Sequence, residues 1–197
     1  MLTPYMTEPG LLESLRGQQY VVLRPVAAVS AFYEREQSEI LTLLPERTPH
    51  PNTGHVTLRG LFEPERVHLL RGLIASWAGS TPSVELRVDA IDGFPPPFNV
   101  LIARLGRTSS PIEAYSSLTE LLDATDFRRI GELPLDDWVF HLSLAYASSL
   151  DELRWSEVFK VSRRAVPSHT RELVSSVDFV WYDDDGEHID TFALRQS

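Results

Sequence analysis

One order of elements occurs twice in this chain, and a polypeptide that repeats its strands and helices in both halves is constrained to fold as two equivalent units. The first half opens with an apolar strand, Tyr20-Val21-Val22-Leu23-Arg24, followed by a helix after Ser30 with Phe32, Ile40, Leu41 and Leu44 as its apolar residues. A turn-rich loop from Pro45 to Thr53 leads into a second strand, Gly54-His55-Val56-Thr57-Leu58-Arg59. Pro64 suits a first helical turn, and Val67, Leu70, Leu73, Ile74 and Trp77 lie at helical spacing behind it. A third strand alternates Val84, Leu86, Val88 and Ala90 against Glu85, Arg87 and Asp89.

The second half repeats this after Asp92-Gly93-Phe94-Pro95-Pro96-Pro97, where Phe94 and the prolines read as an ordinary turn in preference to an interlobe hinge or cleft rim. Phe98 to Leu105 is a strand, and Ser110-Pro111 starts a helix striped with Ile112, Tyr115, Leu118, Leu121 and Leu122. The strand Phe140 to Ala145, a helix from about Ser149 to Arg164 and a long strand from Glu172 to Tyr182 come next. The run Asp183-Asp184-Asp185-Gly186 lacks the spacing and terminal Glu of a calcium loop, so it reads as the turn into a last strand, His188 to Leu194. The expectation is an α+β fold: one domain over residues 1–197, built from sequence halves 18–91 and 98–195 whose lobes interleave around a cleft.

The central strand of each half carries the same pair of polar residues. His55 precedes Thr57 by two positions, and His141 precedes Ser143 by two. Residues i and i+2 of a strand share a face, so each strand presents an imidazole beside a hydroxyl while Val56, Leu58, Leu142 and Leu144 point into a core. The other histidines, His50, His68, His169 and His188, have no hydroxyl residue at i+2, and none lies centrally in a short apolar strand. Arg59 shares the predicted face of His55 and Thr57 and is a candidate phosphate ligand. Tyr146 has the opposite parity to His141 and Ser143, so packing in the core is favoured over stacking on a base.

Composition excludes several alternatives. The chain of 197 residues is 43% hydrophobic, enough for a substantial core. No apolar run approaches the roughly 18 residues that span a bilayer, and the N-terminal residues lack the basic-then-apolar order of a secretory signal, so a cytoplasmic protein is expected. There is no cysteine, hence no thiol nucleophile and no Cys-based metal site. No carboxylate stands at two residues from His55 or His141 within either strand, so no metal and no cofactor are expected there. A formal net charge of −10 argues against a partner such as long duplex nucleic acid, whose binding depends on phosphate neutralisation. The 18 basic residues are all arginine except Lys160; a bias toward Arg codons explains this more simply than phosphate binding does.

With these residues in place, the chain resembles the 2H phosphoesterase superfamily, in particular its LigT-like or 2′-5′ RNA ligase branch. The resemblance rests on His55-Val56-Thr57-Leu58 and His141-Leu142-Ser143-Leu144 in two strand-helix-strand lobes, and it spans residues 18 to 195. It implies a bilobal fold around a central cleft and metal-independent action on 2′,3′-cyclic phosphates, 2′-5′ linkages or RNA ends, with 2′-5′ ligase activity as the related reaction. His55 and His141 match the family's catalytic histidines, and Thr57 and Ser143 match the hydroxyls that hold phosphate.

The chemistry suits those groups. Opening a cyclic phosphate needs one group to take a proton from water and another to give one to the departing ribose oxygen, and histidine titrates near neutrality. The expected partner is a nucleotide or RNA end bound to a monomer, with no membrane involved. The alternative is a nucleotide-binding or sensor module on the same fold that does not turn substrate over. Base recognition falls to the loops Pro45 to Thr53 and Thr125 to Leu135, which carry no readable code.

Overall fold

Apolar alternation in the strands builds two antiparallel sheets, seen in a computed structural model that describes residues 3–166 and 170–196; His169 lies outside the described residues. In chain order the helices are α1 (Pro9–Leu15), α2 (Ala28–Leu41), α3 (Val67–Ser80), α4 (Ser109–Asp123) and α5 (Glu152–Ser162). The strands are β1 (Gln19–Leu23), β2 (Val56–Leu61), β3 (Val84–Phe94), β4 (Val100–Leu105), β5 (Arg129–Ile130), β6 (His141–Tyr146), β7 (Arg164–Ala165), β8 (Arg171–Val174), β9 (Ser176–Asp183) and β10 (Gly186–Ala193).

The first sheet has the order β10-β9-β1-β2-β5 and the second β6-β4-β3-β7, with β8 also paired to β3. Each sheet is built on an equivalent trio, β9-β1-β2 and β3-β4-β6. Two strands of each trio come from one half of the chain and the third from the other, because β3 crosses into the second sheet and β9 into the first. This exchange ties the halves together.

Three expectations change. Strand β3 continues through Asp92 and Gly93 to Phe94, each paired with β4, so the turn is confined to the prolines. The long strand expected over Glu172 to Tyr182 is two strands: β8 pairs with β3, whereas β9 pairs with β1 and β10. The apolar phase slips between them, from Val174 to Val177, at Ser175-Ser176. Helix α2 starts before Ser30 because the Glu172 carboxylate accepts from the amides of Val26, Ala27 and Val29 at 2.5, 2.9 and 3.0 Å. A cap donated by a strand so remote in sequence cannot be read locally.

One core runs through both sheets. It takes Val21 and Leu23 from β1, Val56 and Leu58 from β2, Leu142 and Leu144 from β6, and Val177 and Phe179 from β9. A second, separate cluster lies on the opposite face of β1 and β9, where Tyr5 and Met6 meet Val22, Val180 and Tyr182. Helix α1, with Pro9 at its first turn and the Glu8 carboxylate accepting from the Leu11 amide, brings Leu11, Leu12 and Leu15 to that cluster. The repeated pattern starts at residue 18 and gives no warning of this element. Among the described residues no helix is long and apolar enough to cross a membrane.

Candidate active site

The two histidine strands are irregular at equivalent points. Between β1 and β2, Val22 faces Thr57 and Val21 faces Arg59, leaving Leu58 as an extra residue. Between β4 and β6, Ile102 faces Ser143 and Leu101 faces Ala145, leaving Leu144 extra. Such a β-bulge puts two successive residues on one side and reverses the alternation beyond it. Leu58 with Arg59, and Leu144 with Ala145, are accordingly buried on the core side. His55 and Thr57, and likewise His141 and Ser143, remain partly exposed on the other.

The bulges correct two expectations. Arg59 is not brought to the cleft: only 2% exposed, it stacks its guanidinium 3.5 Å from the centre of the Tyr115 ring, donates to the Thr119 hydroxyl, and lies 3.8 Å from Glu132. Tyr146 does reach the cleft, where it lines one cavity with His55, Thr57 and Ser143. Burial raises the Tyr146 phenol above its usual range, against the lowering effect of its hydrogen bond with Ser143. It is therefore a hydroxyl donor at neutral pH.

Glycine sets the approach of the two lobes. A side-chain carbon on Gly54 would fall 2.8 Å from Leu142 and 2.8 Å from Tyr33, so only glycine lets the chain enter β2 this close to β6. Tyr33 donates from its hydroxyl to the Ser143 carbonyl at 3.1 Å, the Gln37 side chain to the Leu144 carbonyl at 3.0 Å, and the Tyr146 amide to the Pro49 carbonyl at 2.8 Å. Helix α2 and the loop before β2 thereby grip the histidine strand of the other lobe.

Both imidazoles are held alike. Nδ1 of His141 lies 2.7 Å from the Val139 carbonyl and Nδ1 of His55 lies 3.3 Å from the Thr53 carbonyl, in each case two residues back. A carbonyl only accepts, so Nδ1 carries the proton and Nε2 is left with the lone pair. An aromatic edge meets each ring: Tyr5 at 4.7 Å from His55 and Phe94 at 4.9 Å from His141, between ring centres. Phe94 is thus a wall of the histidine site and not part of a turn.

Burial pulls His55 down to about 4; its bond to the Thr53 carbonyl opposes this, the positive charges of His141 and Arg24 add to it, and Asp178 opposes it. Burial also lowers His141, against its bond to the Val139 carbonyl. Both rings are neutral at pH 7 in this closed arrangement, ready to accept a proton.

The cavity at Thr57 and Ser143 measures about 150 Å³ and is walled by Tyr5, Met6, Leu15, Tyr20, Val22, Val180 and Tyr182 besides the polar residues named. Larger concavities of about 470 Å³ beside Arg59 and about 690 Å³ beside Trp181 include no histidine in their linings. Among the described residues no three His, Asp or Glu side chains converge as metal ligands. Sequence reasoning missed Tyr5, Tyr20 and Tyr182, which reach the site only through the folding of α1 and the pairing of β1 with β9.

The sequence profile of the 2′-5′ RNA ligase superfamily matches residues 35–186. No curated protein matches the chain. Among solved structures, TT0787 of Thermus thermophilus superposes with a TM-score of 0.64 at 17% identity, covering 91% of this chain and 99% of that one. E. coli LigT complexed with 3′-AMP gives 0.55 at 14% identity, covering 91% and 98%, and Kluyveromyces marxianus Usb1 gives 0.54 at 11%, covering 92% and 100%. These likenesses show a shared fold over nearly the full length of both partners.

Proposed function

Because the chain belongs to the 2′-5′ RNA ligase superfamily, we propose that it is a metal-independent phosphodiesterase that opens 2′,3′-cyclic phosphates or cleaves 2′-5′ linkages in nucleotides or RNA ends. The observation that carries this reading is the matched pair of imidazoles, each tied through Nδ1 to a carbonyl two residues back. Each is accompanied at i+2 by a hydroxyl, and these two hydroxyls, from different lobes, line one cavity.

In the reaction, one imidazole takes a proton from water at Nε2 as the water oxygen bonds to phosphorus. The other, protonated at Nε2, gives its proton to the ribose oxygen as its bond to phosphorus breaks. Thr57, Ser143 and Tyr146 donate to the non-bridging oxygens, where negative charge concentrates. Positioning and charge stabilisation are most of what the protein must supply. A cytoplasmic monomer acting on a small nucleotide or a single RNA end agrees with the acidic composition. Catalysis is preferred to a sensor role because binding needs phosphate donors but gains nothing from two titratable rings.

The test is a panel of 2′,3′-cyclic, 3′,5′-cyclic and 2′-5′-linked substrates assayed after exhaustive EDTA treatment. Turnover of the first or third class is expected to survive EDTA. Loss of turnover with EDTA and recovery with a divalent ion would overturn the mechanism.

A further inference from the structure

The cleft face of the first sheet is apolar, bearing Val22 and Val180 with Tyr20 and Tyr182 beside them, and residues 3–15 lie across it. The segment stands in the site itself. Tyr5 meets His55 edge-on at 4.7 Å, and Met6 and Leu15 wall the small cavity. Polar anchors hold it besides these apolar contacts. Glu187 accepts from the amides of Tyr5 and Met6 at 2.7 and 3.0 Å. The Tyr5 hydroxyl donates to Asp178 at 2.7 Å, the Asn52 amide donates to the Tyr5 carbonyl at 2.8 Å, and Arg24 donates to the Thr3 carbonyl at 2.9 Å.

Two features separate this cover from the rest of the fold. Its apolar contacts belong to a cluster distinct from the main core, so lifting it leaves the packing of both sheets against α2 to α5 in place. Gly17, at φ 78°, joins α1 to β1 in a left-handed conformation that favours glycine, marking where the cover ends and β1 begins. The closed state also has a cost. Arg24, 8% exposed and 2.9 Å from Asp178, keeps a buried Nη2 with no hydrogen-bond partner. The cavity of about 150 Å³ is well below the roughly 300 Å³ or more of ordinary small-molecule sites.

We propose that residues 3–15 form a displaceable plug that, in the arrangement seen here, bars nucleotide-sized phosphodiesters from the cleft lined by His55, Thr57, Ser143 and Tyr146, and that the protein turns substrate over only when this plug lifts. The inference rests on the reading of that cleft as a phosphodiester site. Lifting the plug uncovers an apolar wall of Val22, Tyr20, Val180 and Tyr182 on which a base can lie, and frees Arg24 of the Tyr5 ring stacked 4.0 Å from its guanidinium. It also returns His55 to water.

The test compares Glu187→Gln, which weakens the carboxylate anchor, and Tyr5→Ala, which removes the ring over His55, with the unaltered chain. Adenosine 3′-monophosphate binding is measured by calorimetry, and turnover of a 2′,3′-cyclic nucleotide separately. Both variants are expected to bind the nucleotide at least about fivefold more tightly, since opening no longer taxes binding. Should Tyr5→Ala fail to fold, Glu187→Gln, on an outer hairpin, still carries the comparison. Tighter binding without turnover in any form supports the plug and counts against the catalytic reading. Equal or weaker binding in folded variants overturns the plug, and unchanged turnover beside it leaves the catalytic reading standing.

Discussion

Strands β2 and β6 are one device built twice, and the residues beyond the bulge in each distinguish the lobes. Both carry a histidine on a carbonyl tether, a hydroxyl two residues on and an extra leucine, Leu58 or Leu144. Past that leucine, β2 buries Arg59 against Tyr115, whereas β6 buries Ala145 and turns Tyr146 to the cleft. The covers differ too: His141 lies against Phe94 of a core strand, His55 against Tyr5 of the N-terminal segment. The repeat keeps the histidine and hydroxyl pair in both lobes, while the cover over each histidine differs.

If the two strands share one catalytic act, replacing either His55 or His141 by Ala lowers single-turnover cyclic phosphate opening by about 10²-fold or more. The double variant falls far short of the product, because acid and base act as a unit. A His141→Ala protein at full rate would leave the second strand a structural copy.

Thr57→Ala and Ser143→Ala sharpen the comparison. Each deletes a hydrogen bond to a charged group, worth about 1.5 to 3 kcal/mol, so each is expected to slow the same step by about tenfold or more. Similar losses in the two lobes support an equal grip on phosphate.

Arg59→Met separates position in the motif from position in the fold. With its guanidinium buried between Tyr115 and Thr119, the change is expected to lower stability by about 2 kcal/mol in denaturant unfolding, with turnover per folded molecule unchanged. A selective loss of turnover would return Arg59 to the site.

A further expected effect is on stability against pH. His55 titrates at 6.5 when unfolded and about 4 when folded. Between these values the unfolded chain binds more protons, so the contribution of His55 is complete above about pH 6.5 and is lost as pH falls toward 4. Thermal melts of His55→Ala are therefore expected to drop less than those of the unaltered chain between pH 7 and pH 4.5.

The repeated elements were legible because apolar spacing records burial, and Val21, Leu23, Val56, Leu58, Leu142 and Leu144 are buried as their alternation predicts. The histidine-hydroxyl pairs were legible for the same reason, being the polar phase of those strands. Spacing does not record which strand pairs with which, so the passage of β3 and β9 into opposite sheets left no mark. A bulge adds a residue without altering composition, hence the reversed placement of Arg59 and Tyr146. The phase slip at Ser175-Ser176 and the amphipathic trio Leu11, Leu12 and Leu15 were present as signals of the sheet change and of α1.

The central claim is that His55 and His141, from different lobes, divide proton transfer on a single phosphodiester. The most direct measurement is the pH dependence of single-turnover opening of a 2′,3′-cyclic nucleotide in EDTA, for the unaltered chain and for each His→Ala variant. The account predicts a bell whose two limbs belong to the pair, and the loss of one limb in each variant. A rate independent of pH, or a bell that persists in either variant, would contradict it.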